Sequence, residues 1–145
     1  MKKFLKFSFY GLIYLLVIFI LAILFIVTSK ADIIKPNFNI EPNQVVKIQL
    51  KSLMNNDAPN IDNGIEQTWE FAHPNNQKVT GPLKRFKQMI KGESYIMLLN
   101  HLEHKIDEIA LSDLMALYEV TVLDKNKIYY KFNWRVEKYT KDGPL

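Results

Sequence analysis

Four side chains able to hold a metal or pass a proton, His101, His104, Asp107 and Glu108, fall within one short run of the chain. There Leu102, His104 and Ile106 alternate with Glu103, Lys105 and Asp107, the period expected of a half-buried strand. Alternate side chains of a strand take opposite faces, so His104 and Glu108 share one face while His101 and Asp107 take the other. Metal ligands must converge on one point, so this run predicts no metal centre. Only a helix here would bring His101 and His104 together. His73, alone before Pro74, is expected to interact with nearby carbonyls at a helix end rather than to catalyse. The chain has no cysteine, which removes disulfides, thiolate metal sites and a nucleophilic thiol. It has neither a glycine-rich phosphate loop nor a nucleophile elbow, and no cofactor is expected.

A second set is aromatic. Met115 to Leu123 reads as a strand with Ala116, Tyr118, Val120 and Val122 on one face. Asp124 to Lys127 reads as a hairpin loop. In Ile128 to Tyr139, one face carries Ile128, Tyr130, Phe132, Trp134 and Val136. Buried Tyr and Trp need partners for their polar tips, so Tyr118, Tyr130 and Trp134, with His104, form the candidate ligand-binding set. Ordinary core packing is the competing reading of the same residues. Ile109-Ala110-Leu111 breaks the alternation and predicts a bulge or bend.

The elements that would position these residues lie upstream. From Asn43, Val46, Leu50, Leu53 and Met54 recur at helical spacing, with Lys47, Lys51 and Ile48 on the other side. Asn55-Asn56-Asp57 and Pro59 stop that helix. Asp62 or Asn63 caps a second helix carrying Ile65, Trp69 and Ala72, which Pro74 ends. Asn75 to Lys78 reads as a polar turn. Thr80 or Gly81 then caps a helix with Leu83, Phe86, Met89 and Ile90 inward and Lys84, Arg85, Lys87 and Lys91 mostly outward. Those four cations would suit anionic headgroups or an acidic partner, although any surface helix needs a solvated charged face. Glu93 to Leu99 reads as one or two further helical turns.

Residues 1–30 read as a short cytoplasmic tail and a transmembrane anchor, 31–42 as an extended linker, and 43–145 as an extracytoplasmic domain. Phe7 to Thr28 is free of charge and, as a helix, spans roughly 33 Å, enough for a hydrocarbon core of about 30 Å. Lys2, Lys3 and Lys6 precede it, which places the N-terminus in the cytoplasm. Ser29-Lys30-Ala31 resembles a cleavage site, but the apolar run is longer than that of a signal peptide. Lys2, Lys3, Lys6 and Lys30 account for the net charge of +4, so the remainder is neutral and no nucleic-acid partner is expected. The expected partners are the lipid bilayer, through the N-terminal helix, and a protein of the cell envelope.

The succession Val45 to Leu50, Gly64-Ile65, Trp69 to Asn76 and Thr80 to Phe86 resembles the family catalogued as domain of unknown function 4864. The similarity runs from about Gln44 to the chain end. Phe71-Ala72-His73-Pro74 followed by Thr80-Gly81-Pro82-Leu83-Lys84-Arg85-Phe86 is its most specific part. Members often carry a small residue where this chain has His73. The resemblance implies a nuclear-transport-factor-2-like cone of helices on a curved antiparallel sheet, and it supplies no catalytic residue. It also implies one strand more than this chain offers before Leu145. Periodicity independently predicts α+β, helices first and an antiparallel sheet after them. The leading functional expectation is non-catalytic ligand or partner binding in the cell envelope. A small enzyme using a cone pocket and a scaffold subunit of an envelope complex are the alternatives.

Overall fold

A computed structural model describes residues 11–21 and 32–139. Met1–Ala31 and Asp32–Leu145 separate into two units. In the first, residues 11–21 are helical (α1), and Leu12, Leu15, Phe19 and Leu21 lie exposed. Half of the predicted Phe7 to Thr28 span lies outside the described residues. Among those described, no helix is long and apolar enough to cross a membrane.

The second unit is α+β, with helices packed against a three-stranded antiparallel sheet. Its leading residues are tied down. The Gln67 side-chain amide accepts from the Ile34 N–H at 2.7 Å and donates to the Ile34 carbonyl at 2.9 Å. Helix α2, Pro42–Met54, starts where Pro42 needs no hydrogen-bond partner for its nitrogen and Gln44 Oε1 accepts from the Glu41 N–H at 3.0 Å. Val46, Gln49, Leu50 and Leu53 form its buried face; Gln49 joins the predicted apolar stripe, and Met54 at its end stays half-buried.

Helix α3, Asn63–Glu70, lies against α2 through Gly64. A Cβ on Gly64 would stand 2.8 Å from Asn56 Cα and collide with the Ser52 carbonyl. Only glycine allows the two backbones to approach so closely. Helix α4, Pro74–Thr80, occupies the stretch predicted as a polar turn. Helix α3 stops at Glu70, short of the predicted Ala72; Pro74, with its fixed φ, opens α4, and His73 Nδ1 accepts from the Asn75 N–H at 3.2 Å. His73 is thus an N-cap, not a partner of carbonyls. Helix α5, Leu83–Ile90, buries Phe86 and Ile90, and Pro82 rather than Thr80 or Gly81 is its cap residue. Trp69 and Phe86 join α3 to α5 with ring centroids 5.0 Å apart. Only a 3-10 turn, Ile96–Leu98, follows; Leu98 is buried, whereas Tyr95 stays exposed.

Strands β1 (Glu103–Leu111), β2 (Met115–Leu123) and β3 (Tyr129–Glu137) form a meander in the order β1-β2-β3. The β1–β2 register shifts between Glu108 and Ala110, the bulge expected from the broken alternation. Ala116, Tyr118, Val120 and Val122 on the central strand are buried against Val46, Leu50, Leu53 and Ile65. In the β2–β3 loop, Asp124 Oδ1 accepts from the Asn126 and Ile128 N–H groups at 2.8 and 2.9 Å, which fixes the register of β3.

The α2–α3 contact yields a direct test. Gly64→Ala removes a glycine from a helix, a change that by propensity alone would stabilise by about 1 kcal/mol. The steric conflict with Ser52 and Asn56 reverses that sign, and overpacking of this kind costs about 1–3 kcal/mol. Urea denaturation should show the variant less stable than the parent; an unchanged or higher midpoint would refute the close contact.

Candidate functional site

Asn43, Lys47, Lys51 and Asn55 repeat every fourth residue and form a polar stripe along α2 and its cap. Opposite this stripe, His104 and Ile106 point the same way from β1. With Met54 these residues line an open groove of about 660 Å³. Its charged groups are the two lysines, and no carboxylate lines it.

The histidine in the groove is not alone. His101 Nε2 lies 2.8 Å from His104 Nδ1, and His101 Nδ1 lies 2.7 Å from the Leu98 carbonyl oxygen. A carbonyl can only accept, so the proton of neutral His101 sits on Nδ1 and its Nε2 presents a lone pair. His104 Nδ1 must then carry the hydrogen of the second bond. The remaining nitrogen, His104 Nε2, is left with a lone pair and no hydrogen-bond partner among the described residues. His101 is buried and His104 half-buried. Burial pushes the basicity of both rings below the usual imidazole value; for His101 the Leu98 carbonyl opposes this and the neighbouring His104 adds to it.

The meeting of the two histidines corrects the predicted divergence. The strand begins at Glu103, and Asn100 has a φ of 55°, so the backbone turns sharply just before His101. Alternation does not extend back to that residue. Asp107 pairs with Lys105 at 2.8 Å, and Glu108 lies beside the Tyr118 hydroxyl, so neither joins the histidines. Among the described residues no group of three or more His, Asp or Glu is placed to hold a metal ion.

The aromatic members of the candidate set lie elsewhere. Tyr118 is 2% exposed in the core, where burial first and the Glu108 carboxylate second raise its hydroxyl above the ordinary value. Trp134 is half-buried, and its Nε1–H donates to Gln49 Oε1 at 2.8 Å, while Gln49 Nε2 donates to the Thr68 carbonyl at 3.1 Å. Tyr130 packs against the same cluster. Of the four candidates, His104 alone lines the groove.

A second hollow of about 470 Å³ lies around Glu103, Lys105, Asp107, Glu119 and Lys131, and His104 lines it as well as the groove. Its charges are already matched. Lys131 bonds Glu119 at 2.7 Å, and the Tyr129 hydroxyl donates to Glu103 at 3.0 Å. The basic face of α5 is likewise half spent: Lys87 bonds Glu66 at 2.7 Å and Lys91 bonds Asp62 at 2.8 Å, leaving Lys84 and Arg85 exposed. Lys47 and Lys51 were legible as outward-facing, but not as one wall of a groove. The fourfold Asn43-Lys47-Lys51-Asn55 spacing is the signal that could have found it.

No protein-family profile, curated protein or solved structure matches this chain.

The histidine pair makes stability depend on pH in one direction. The unfolded chain takes up protons near the ordinary imidazole value of about 6.5, whereas the folded pair takes them up only at lower pH. The stabilisation is therefore complete above that value and is lost as the pH falls through the folded-state titration. Denaturation midpoints should be level from pH 8 to 7 and drop below about 6.5. His101→Gln, which cannot titrate, should flatten the drop; an equal drop in the variant would remove the pair as its source.

Proposed function

We propose that this chain is a membrane-anchored, extracytoplasmic binding domain of the cell envelope, with a cone-like fold, and that its ligand occupies the α2–β1 groove without being chemically changed. The observation that carries this reading is the groove's makeup. Two lysines, two side-chain amides and one neutral imidazole offer recognition, while the groove lining lacks a carboxylate, hydroxyl or thiol to act on a bound molecule. The enzyme reading rests on a pocket around Tyr118, Tyr130 and Trp134, with His104; Tyr118 is buried in the core, Tyr130 and Trp134 pack half-buried against it, and of the four His104 alone lines the groove.

The anchor is supported by the uncharged run from Phe7 to Thr28 and its preceding lysines. The exposed apolar side chains of α1 add to that support, because a helix apolar on every side calls for a non-aqueous surrounding.

Two measurements bear on this proposal. Because the chain has no cysteine, Lys125→Cys in the exposed β2–β3 loop provides a single label site. A membrane-impermeant maleimide should modify it in intact cells; labelling only after permeabilisation would refute the extracytoplasmic location. For the groove, a screen of small anions, amines and neutral polar molecules against the full chain should yield a ligand that moves the amide resonances of Lys47, Lys51, Asn55 and His104. That ligand should be recovered unchanged. Binding that leaves those resonances still, or turnover of the ligand, would overturn the assignment.

A further inference from the structure

The polar groups of the groove make two different demands. Lys47 and Lys51 supply positive charge and can only donate hydrogen bonds. His104 Nε2 supplies a lone pair and can only accept, because its own proton is held on Nδ1 by His101. That tautomer is locked from behind by the Leu98 carbonyl, so rotation of one ring cannot reverse it. A fully deprotonated anion satisfies the lysines but turns an oxygen lone pair toward the lone pair on His104. A cation satisfies His104 and is repelled by both lysines. A ligand fitting all three groups must carry negative charge and an O–H hydrogen at once.

We infer that the groove is a site for a protic oxyanion, hydrogen phosphate being the simplest, with Lys47 and Lys51 binding its charged oxygens and His104 Nε2 accepting its remaining proton. The amides of Asn43 and Asn55 stand at the two ends of the stripe, where each can donate to or accept from a further oxygen. This inference rests on the binding role proposed for the groove and names the class of ligand. Selectivity follows from the chemistry. Sulfate has the size and charge of hydrogen phosphate but no hydrogen, so it leaves His104 opposed. A site built to accept a hydrogen bond rejects an analogue that cannot donate one.

Protonation of His104 would abolish that discrimination, because the ring would then donate from both nitrogens. On the groove side the titratable groups that face it are Lys47, Lys51 and His101. Around the flank of β1 they are Glu103, Lys105 and Asp107, with Glu119, Lys131 and Tyr129 beyond. Those outer carboxylates are engaged by Lys105, Lys131 and Tyr129, so His104 and the lysines set the charge of the groove.

Calorimetric titration of the full chain with phosphate, sulfate and dimethyl phosphate tests this, with amide spectra recorded on the same samples. At pH 7.5, phosphate should bind at least ten-fold tighter than sulfate or dimethyl phosphate, shifting Lys47, Lys51 and His104. As the pH is lowered through the titration of His104, followed by its ring resonances, the sulfate affinity should rise to within a few-fold of that for phosphate. His104→Ala should erase the preference at pH 7.5, and Lys47→Ala with Lys51→Ala should weaken both anions alike. Dimethyl phosphate stands for a lipid phosphodiester, so its binding as tightly as phosphate would assign a headgroup and overturn the protic requirement. Equal binding of sulfate at pH 7.5 would overturn it too. If no anion moves the groove resonances while another ligand does, the ligand class is wrong and the binding role stands. If nothing moves them, both fall.

Discussion

Asn56 holds the domain together at one buried point. It is 2% exposed, and each of its four polar groups has a partner. Its N–H donates to Asn100 Oδ1 at 3.1 Å, and its carbonyl accepts from the Gly64 N–H at 2.9 Å. Its side-chain oxygen accepts from the Ile65 N–H at 3.1 Å, and its Nδ2 donates to Asp57 Oδ1 at 2.8 Å. These bonds fasten the end of α2 to the start of α3 and to the turn that leads into β1. Asn100 completes the knot by donating from its backbone to the Leu53 carbonyl at 2.9 Å. A buried polar network of this kind is costly if half satisfied and orienting when complete. The two walls of the groove come from α2 and β1, so this knot sets their spacing.

The same knot explains how a neutral domain keeps a positive groove. Asp57 and Asp62, the carboxylates nearest the α2–α3 corner, are consumed there. Asp57 accepts first from the Asp62 backbone and then from Asn100 and Asn56, which holds its carboxyl below the ordinary range. Asp62 faces Lys87 on α5 and Lys91, the residue that follows it. On the outer sheet face, Glu119, Glu103 and Asp107 are likewise matched. Lys47 and Lys51 enter none of the ion pairs among the described residues. Exposed ion pairs contribute little stability one at a time. Their arrangement here matters because it leaves Lys47 and Lys51 uncompensated beside the groove.

Much of the architecture was legible in the residues. The stripe Val46, Leu50, Leu53 and the alternation of Ala116, Tyr118, Val120 and Val122 are strong periodic signals, and both became the core. The hairpin loop and the bulge were legible because turn residues and a broken period each have a local cause. Helix α4 was not, because Pro74 reads as a terminator from one side and as an initiator from the other. The polar run Asn75 to Lys78 has no apolar face to decide between them. The site was less legible than the fold. Its histidines are joined by a positive φ at Asn100, a backbone fact with no periodic signature. Its lysines look like any solvated helix face until β1 is placed opposite.

The aromatic set shows why a polar handle does not by itself make a pocket. A three-stranded sheet has one interior strand, and every inward side chain of β2 is already buried beneath the helices. Tyr118 and Trp134 are cross-strand neighbours in that layer, and the Trp134 N–H is answered by Gln49, whose own amide is answered by Thr68. The tips of Tyr118 and Trp134 thus find partners in Glu108 and Gln49 within the fold, and leaving room for a ligand there would open a cavity in a core with little area to spare. An edge strand has no such constraint. At the margin between β1 and α2 the helix covers the sheet only in part, so His104 can be oriented from behind by His101 and remain unpartnered in front. The sheet's centre supplies rigidity, and its covered edge supplies the open lone pair that recognition requires.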